Sequence, residues 1–366
     1  MTVGFYSPLP PARTGVADYS AALLAALRRH GRVEVAPASC DVALYHLGNN
    51  PMHAAIYQRA LERPGVVVLH DAVLHHFLLG QLDREAYIEE FAYNYGEWSR
   101  GFAAELWRHR AGSGADRRYF DFPMLKRIAE RARAVVVHNP AAARLAQEHA
   151  PGAPVIELPF PLEALSAPSD GTITRYRQRL GIPPGAFVFG VFGFLRESKR
   201  LPAILEAFAR LRTAYPQATL LIAGSFVSAD VERAVEPLLT APGVFRLPYL
   251  SGPEFRQAAC AVDACINLRY PSAGETSAIA IQLMGIGKPV LLTESEECSR
   301  FPEDAAVRIA AGVEERESLW SHMVLLTSLP RVVRAIGQRG FRHVQEHHQV
   351  ERVAQQYWEI LCAFRS

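Results

Sequence analysis

The chain has 366 residues, 49% hydrophobic and 21% charged, the balance of a globular protein with apolar cores rather than a disordered, collagenous or coiled-coil one. At about 150 residues per domain the length predicts two domains or one unusually large one. Its 39 basic and 37 acidic residues leave a net charge of +2, without the clustered basic excess of a nucleic-acid binder, so no nucleic-acid partner is expected.

The first half alternates short apolar runs with helical segments. Val3–Tyr6 reads as a strand and Gly15–His30 as a helix with an apolar stripe at Ala21, Leu23, Leu24 and Leu27. Val42–Leu47 and Val66–His70 are strand-like, with helical sequence through Leu79, then an amphipathic, aromatic-rich stretch over Arg84–Trp107. Ala134–His138, Pro140–His149 and Val155–Leu158 follow as strand, helix and strand. A Pro- and Ser-rich break covers Pro159–Gly171. Beyond it the pattern restarts: strands over Phe187–Gly193, Thr219–Gly224, Val244–Leu247, Ala264–Leu268 and Pro289–Leu292, helices over Leu201–Thr213 and Asp230–Leu239. The last ~35 residues are helical, anchored by Val353, Tyr357, Trp358, Leu361 and Phe364, and are expected to leave the second half and dock on the first. Val/Ile/Leu strands alternating with helices predict parallel sheets covered on both faces. Ligands of such sheets sit beyond the strands' C-terminal ends, where helix N-termini favour phosphate.

No run approaches the ~18 apolar residues of a membrane helix. Met1-Thr2-Val3-Gly4-Phe5 enters a strand pattern without a basic leader, so a cytoplasmic address is expected. The five cysteines, Cys40, Cys260, Cys265, Cys298 and Cys362, lack CxxC spacing and read as reduced, mostly buried thiols. Only Lys126, Lys199 and Lys288 among the basic residues are lysines, so each deserves inspection for a role arginine cannot fill.

The most informative stretch is Asn267–Val290. A strand ends in a Pro/Ser/Gly loop, and Glu275-Thr276-Ser277 opens a helix reaching Gly285–Gly287. Thr276 and Ser277 stand where N-caps belong, and their hydroxyls with the first-turn N–H groups form a donor nest suited to phosphate. Glu275 would accept hydrogen bonds from sugar hydroxyls, and Gln282, two turns on along the same face, would bind a ribose diol. The plainer alternative is an ordinary capped surface helix.

This segment resembles the donor-sugar motif of glycosyltransferase family 4, retaining enzymes of the GT-B fold. Gly287-Lys288-Pro289-Val290 matches the motif's closing strand; Glu275 stands in for its first glutamate, displaced by one position, and Gln282 occupies the place of the second. Gly190–Leu201 resembles the family's glycine-ended strand followed by an arginine and a lysine that hold the donor diphosphate. Gly193 ends the strand, Lys199 fits the lysine, and Arg196 substitutes for the arginine, whose usual place holds Phe194. As a plain surface pair, Arg196 and Lys199 would be unremarkable. Ser7–Val16 resembles the family's glycine loop, here with Gly15 alone, where a bare backbone can approach the sugar.

The resemblance implies that His70 faces the donor sugar and that Asp71, His138 and Asn139 lie on the acceptor side, a satisfied core histidine being the alternative for His138. His46 and Asn49-Asn50 would shape the same side, and backbone around Arg246–Leu250, notably Leu247 and Leu250, would select the base. His70, Asp71, His75 and His76 lack zinc-ligand spacing, no Asp-x-Asp ends a strand, and no metal or other cofactor is expected. The implied architecture is two doubly wound Rossmann-like domains facing across a cleft, residues 1–165 and 170–349, with helix 350–366 crossing back to the first. The implied activity is transfer of a sugar from a nucleoside-diphosphate sugar to a hydroxyl acceptor, with retention of configuration. The acceptor would be a polysaccharide, a lipid-linked glycan or a small molecule, with peripheral contact at the inner membrane face; the aromatic Arg84–Trp107 stretch is either an acceptor surface or core. A nucleotide-sugar hydrolase or epimerase, or a non-catalytic partner protein, are the other readings. A dinucleotide-dependent oxidoreductase is a third and poorer reading, because no strand leads into GxGxxG and Gly190-Val191-Phe192-Gly193 lacks the third glycine.

Overall fold

The computed structural model describes residues 1–163 and 169–365. Two compact units emerge: one comprises Met1–Glu163, Pro271–Thr276 and the C-terminal stretch from His348, the other the chain up to Tyr270 and Ser277–His347. The core of the expected break, 164–168, lies outside the described residues.

The first unit begins β1 (Thr2–Tyr6), α1 (Gly15–Leu27), β2 (Arg32–Val35), β3 (Val42–Leu47), α2 (Ala54–Glu62) and β4 (Val66–Leu69). It continues through α3 (His75–Gln81), α4 (Arg84–Tyr95), α5 (Arg100–His109), α6 (Lys126–Arg131), β5 (Ala134–Val137), α7 (Pro140–His149) and β6 (Val155–Glu157). Its six strands are parallel, in the order β2-β1-β3-β4-β5-β6. Strands β3, β4 and β5 are buried along their whole length, as a sheet covered on both faces requires.

The second unit runs α8 (Asp170–Arg179), β7 (Val188–Phe192), α9 (Leu201–Ala214), β8 (Thr219–Ala223), α10 (Ala229–Leu239), β9 (Val244–Leu247), α11 (Gly252–Ala261) and β10 (Ala264–Asn267). After α12 (Ala278–Gly285) come β11 (Val290–Thr293), β12 (Val307–Ile309), α13 (Glu315–Ser328) and α14 (Pro330–His347). Its strand order, β12-β11-β10-β7-β8-β9, is again all parallel. The order reverses between β7 and β10, the topological switch point at which doubly wound sheets bind ligands.

The helical C-terminal stretch is two helices, and only the second returns to the first unit. Helix α14 stays against α12, while α15 (Val350–Ala363) packs on α1. The chain changes allegiance at His348: Leu162 N–H donates to the His348 carbonyl at 2.7 Å, and the His348 ring bonds the Phe160 carbonyl at 2.8 Å.

Several elements depart from the sequence reading. The stretch Arg84–Trp107 is divided at Gly96, whose φ of +94° ends α4. Tyr87 and Phe91 from this stretch are buried while Tyr93 and Trp98 are exposed, so its aromatic residues are divided between core and surface. Short β2 and β12 escaped notice because edge strands of three or four residues, not all of them buried, carry no strong periodic signal. Helix α8 was hidden by its polar composition. All five cysteines are free thiols.

Candidate functional site

At the switch point of the second unit, β7 is followed by Gly193, whose φ is +92°; a side chain there would meet Ile279 Cδ1 at 2.8 Å. Glycine is therefore required both by backbone and by space. The chain then passes exposed Phe194 and Arg196 into a single helical turn, Glu197–Lys199. Arg200 closes that turn in the left-handed region, φ +57°, and its guanidinium holds the buried carboxylate of Glu315 at 2.8 Å. This ion pair braces a turn that would otherwise be strained at a non-glycine residue.

Lys199 is only 3% exposed. Its Nζ donates to Asn267 Oδ1 at 2.7 Å, and Asn267, the last residue of β10, donates from Nδ2 to Ser277 Oγ at 2.7 Å. Ser277 accepts in turn from Ala280 N–H at 3.2 Å, which makes it the N-cap of α12. Lys199, Asn267 and Ser277 thus form one hydrogen-bonded line across the C-terminal ends of the two central strands. A buried ammonium is tolerable only when its donors are matched. The Arg196 carbonyl accepts from Lys199 N–H at 3.0 Å, while the Arg196 guanidinium forms no hydrogen bond or ion pair with any described residue.

At the rim of this sheet the Arg246 guanidinium lies over the Phe226 ring at 5.0 Å and donates to the Leu247 carbonyl. Burial lowers the pKa of Arg246. The Leu247 carbonyl also accepts from Gly224 N–H at 3.3 Å. Leu250 lies half-buried in the loop before α11, and the rings of Phe194 and Tyr249 are 6.4 Å apart. Lys288 donates to the Cys260 carbonyl at 3.1 Å, and burial lowers its pKa; it has a structural bond inside the unit.

In the first unit, the loop after β1 leads to Thr14, which caps α1 by accepting from Val16 N–H at 3.0 Å. Gly15 is the first residue of that helix, and a side chain there would meet open space. His70 follows β4 and is half-buried; its Nε2 pairs with Nδ1 of buried His46 at 3.1 Å. His53, Tyr19 and His138 complete a histidine-rich cluster. Tyr19 stands edge-on to His70 at 4.6 Å, and its hydroxyl meets His138 Nε2 at 3.0 Å and the Tyr357 hydroxyl of α15 at 2.8 Å. Burial is the main cause that lowers the pKa of His46, His53, His70 and His138, the last to about 4. The cluster is neutral at physiological pH.

Residues 271–276 belong to this unit by their contacts. Asn139 caps α7 through Oδ1, accepting from Ala142 N–H at 2.8 Å, while its Nδ2 donates to the Gly274 carbonyl at 3.0 Å and Thr276 Oγ1 at 2.9 Å. The Ala273 carbonyl accepts from Val73 N–H at 3.0 Å. Glu275 Oε2 accepts from Ala273 N–H at 2.8 Å and from the Ser272 hydroxyl at 3.2 Å. Asp71 Oδ2 accepts from Asn49 N–H at 2.7 Å.

This geometry corrects the sequence reading in several places. Glu275 and Thr276 do not open the helix; α12 starts at Ala278 with Ser277 alone as its cap. Glu275 and Gln282 therefore share no helical face, and Gln282 is a half-exposed residue within α12. The two hydroxyls expected to act as a pair are divided, Thr276 held by Asn139 and Ser277 by Asn267. Asn139 spends its amide on a cap and a clamp. His75 bonds the Tyr87 hydroxyl at 2.7 Å and His76 the Ser113 carbonyl at 3.1 Å. Sequence reasoning missed Asn267, Tyr19 and Tyr357. A polar residue closing an otherwise apolar central strand was the available signal for Asn267; nothing local marks the tyrosines.

No family model matches the chain, and no curated protein matches it in sequence. Solved structures do match. A sucrose-phosphate synthase from Thermosynechococcus elongatus aligns over 98% of both chains at 16% identity and TM-score 0.71. The fold is GT-B. HepE of Anabaena, solved with UDP-glucose, aligns over 100% of both chains at 16% identity and TM-score 0.65. WaaG, a glycosyltransferase involved in lipopolysaccharide biosynthesis, aligns over 98% of this chain and 99% of its own at 14% identity and TM-score 0.65. At such identities the likeness is one of fold. Among the described residues no helix is long and apolar enough to cross a membrane.

Proposed function

We propose that the protein is a glycosyltransferase that moves a sugar from a nucleoside-diphosphate sugar to a hydroxyl acceptor, retaining the anomeric configuration and using fixed cations in place of a metal. The observation that carries this reading is the buried ammonium of Lys199 at the switch point of the second sheet, tied to Asn267 at 2.7 Å. A cation at that position of a doubly wound sheet suits an anionic ligand, and the unpaired guanidinium of Arg196 three residues earlier supplies a second charge. Solved proteins of this fold carry UDP-glucose, as HepE does, which supports the same substrate class here.

In the proposed reaction the bond between the anomeric carbon and the β-phosphate oxygen breaks, and a bond to the acceptor oxygen forms on the same face. The acceptor's proton passes to the departing phosphate oxygen, so no protein base is consumed. Charge gathers on the leaving diphosphate, which Lys199, Arg196 and the Ser277 end of α12 would stabilise. One preorganised donor of this kind contributes on the order of 10²–10³ in rate. His70 and Glu275 are proposed to contact the sugar, and a glycan or lipid-linked sugar to supply the hydroxyl.

The test is incubation with a panel of nucleoside-diphosphate sugars, following nucleoside diphosphate release with and without glycan acceptors. Acceptor-dependent release with an α- or β-linkage matching the donor supports the proposal. Release of free sugar without acceptor would indicate a hydrolase, and absence of nucleotide binding a non-catalytic protein.

A further inference from the structure

The histidine cluster of the first unit contains its own proton assignment. His138 Nδ1 faces the Leu158 carbonyl at 3.0 Å and His53 Nδ1 the His46 carbonyl at 2.8 Å. A carbonyl only accepts, so both rings carry their proton on Nδ1. His138 Nε2 is then bare and accepts from the Tyr19 hydroxyl, whose oxygen accepts from Tyr357.

The His46–His70 pair is resolved by what lies behind it. His46 Nδ1 and His70 Nε2 are 3.1 Å apart, so one is protonated and the other bare. His46 Nε2 is sealed from solvent and has no hydrogen-bond partner. A proton there would be a buried donor without an acceptor, the rarer and costlier defect. Placed on Nδ1, the same proton bonds His70. Burial and the neighbouring rings lower the pKa of both histidines, in keeping with one proton on each.

We infer that His46 is a positioning residue: it donates from Nδ1 to His70 Nε2, so that His70 presents its own Nδ1–H outward as a hydrogen-bond donor. His70 Nδ1 bonds no described residue and is not sealed from solvent. Resting on the functional reading above, the inference assigns His70 a specific task. It binds an oxygen of the donor sugar and does not act as a base, because its only bare nitrogen is occupied by His46. Tyr19, edge-on to the His70 ring at 4.6 Å, holds the ring plane.

The test is a nitrogen-15 spectrum of the histidine-labelled protein, in which protonated and bare ring nitrogens resonate apart. Protonated Nδ1 and bare Nε2 on His70 near neutral pH are expected; the reverse overturns the assignment. His46→Phe keeps a ring beside Phe5 but cannot donate. It should give His70 a mixture of tautomers and weaken UDP-glucose binding about tenfold, as the loss of one hydrogen bond implies, with UDP binding unchanged. His46→Asn, whose amide can donate at nearly the same place, should restore the single tautomer. An unchanged His70 spectrum in His46→Phe overturns the positioning role. If the unaltered protein binds no member of the nucleoside-diphosphate sugar panel, the substrate assignment fails while the spectrum still decides the His46–His70 pair.

Discussion

Lys199 Nζ and Asn267 Oδ1 lie 2.7 Å apart, joining the first turn after β7 to the last residue of β10. The pair spans the place where the strand order reverses, so one side-chain bond fixes a charge at the binding edge of the sheet. Lys199→Ala removes that charge and leaves a buried amide oxygen unpaired, at a cost of about 1–3 kcal/mol. The expected result is a thermal midpoint lowered by a few degrees and a loss of sugar transfer of roughly 10²–10³. Asn267→Asp separates the two effects. A carboxylate would hold Lys199 and cancel its charge, so UDP affinity should fall at least tenfold while the protein stays folded. Calorimetric titration with UDP and a thermal melt of both variants check this.

Asn139 serves two masters, and a single atom exchange distinguishes them. Asn139→Asp keeps the Oδ1 acceptor for Ala142 N–H, so the α7 cap survives. It loses the Nδ2 donor to Gly274 and Thr276 and sets a negative charge against the Gly274 carbonyl. The expected outcome is unchanged helix content by circular dichroism with sugar transfer reduced about tenfold or more, because the segment carrying Glu275 is no longer clamped. A variant with full activity would show that the clamp is unimportant.

Gly274 has φ +71°, and a side chain there would lie 2.8 Å from Ala72 Cβ. Gly274→Ala therefore combines backbone strain with a close contact against a buried residue. A destabilisation of about 1–3 kcal/mol is expected, measured by denaturant titration. The same exchange at Gly15, where the added carbon meets open space, should leave stability within about 1 kcal/mol.

The neutral histidines make stability depend on pH in a defined direction. Burial lowers His138 from its ordinary value of 6.5 to about 4, so the folded state resists a proton that the unfolded chain accepts. The stability held above pH 6.5 is progressively lost as pH falls toward 4, at a cost on the order of 3 kcal/mol from His138 alone. His46 and His70 shift in the same direction. The thermal midpoint should drop steeply between pH 6.5 and 4, and His138→Phe should flatten that slope. A midpoint independent of pH in this window would contradict the neutral cluster.

Fold class was legible in the sequence because a strand buried on both faces has to be apolar throughout. Runs such as Val66–Leu69, Ala134–Val137 and Thr219–Ala223 announce themselves with little ambiguity. Helix starts were less secure: Glu275, Thr276 and Ser277 are all acceptable near an N-terminus, and local propensity cannot rank them. Contacts from elsewhere decide it, Asn139 taking Thr276 and Asn267 taking Ser277. The short edge strands were invisible because their partly exposed positions need not be apolar.

What the sequence determined by itself was the alternation of parallel strands and helices, the glycine that follows β7, and the lysine six residues beyond it in a chain that otherwise uses arginine. These are local constraints, imposed by burial on every residue of a run or by a backbone angle at one. Only the tertiary structure decided the partners: that Lys199 is buried against Asn267, that Asn139 reaches 135 residues along the chain to Gly274, and that four histidines and two tyrosines share one cluster. A hydrogen bond depends on positions within a few tenths of an ångström, and for residues so distant in sequence those positions are set by the packing of the whole unit.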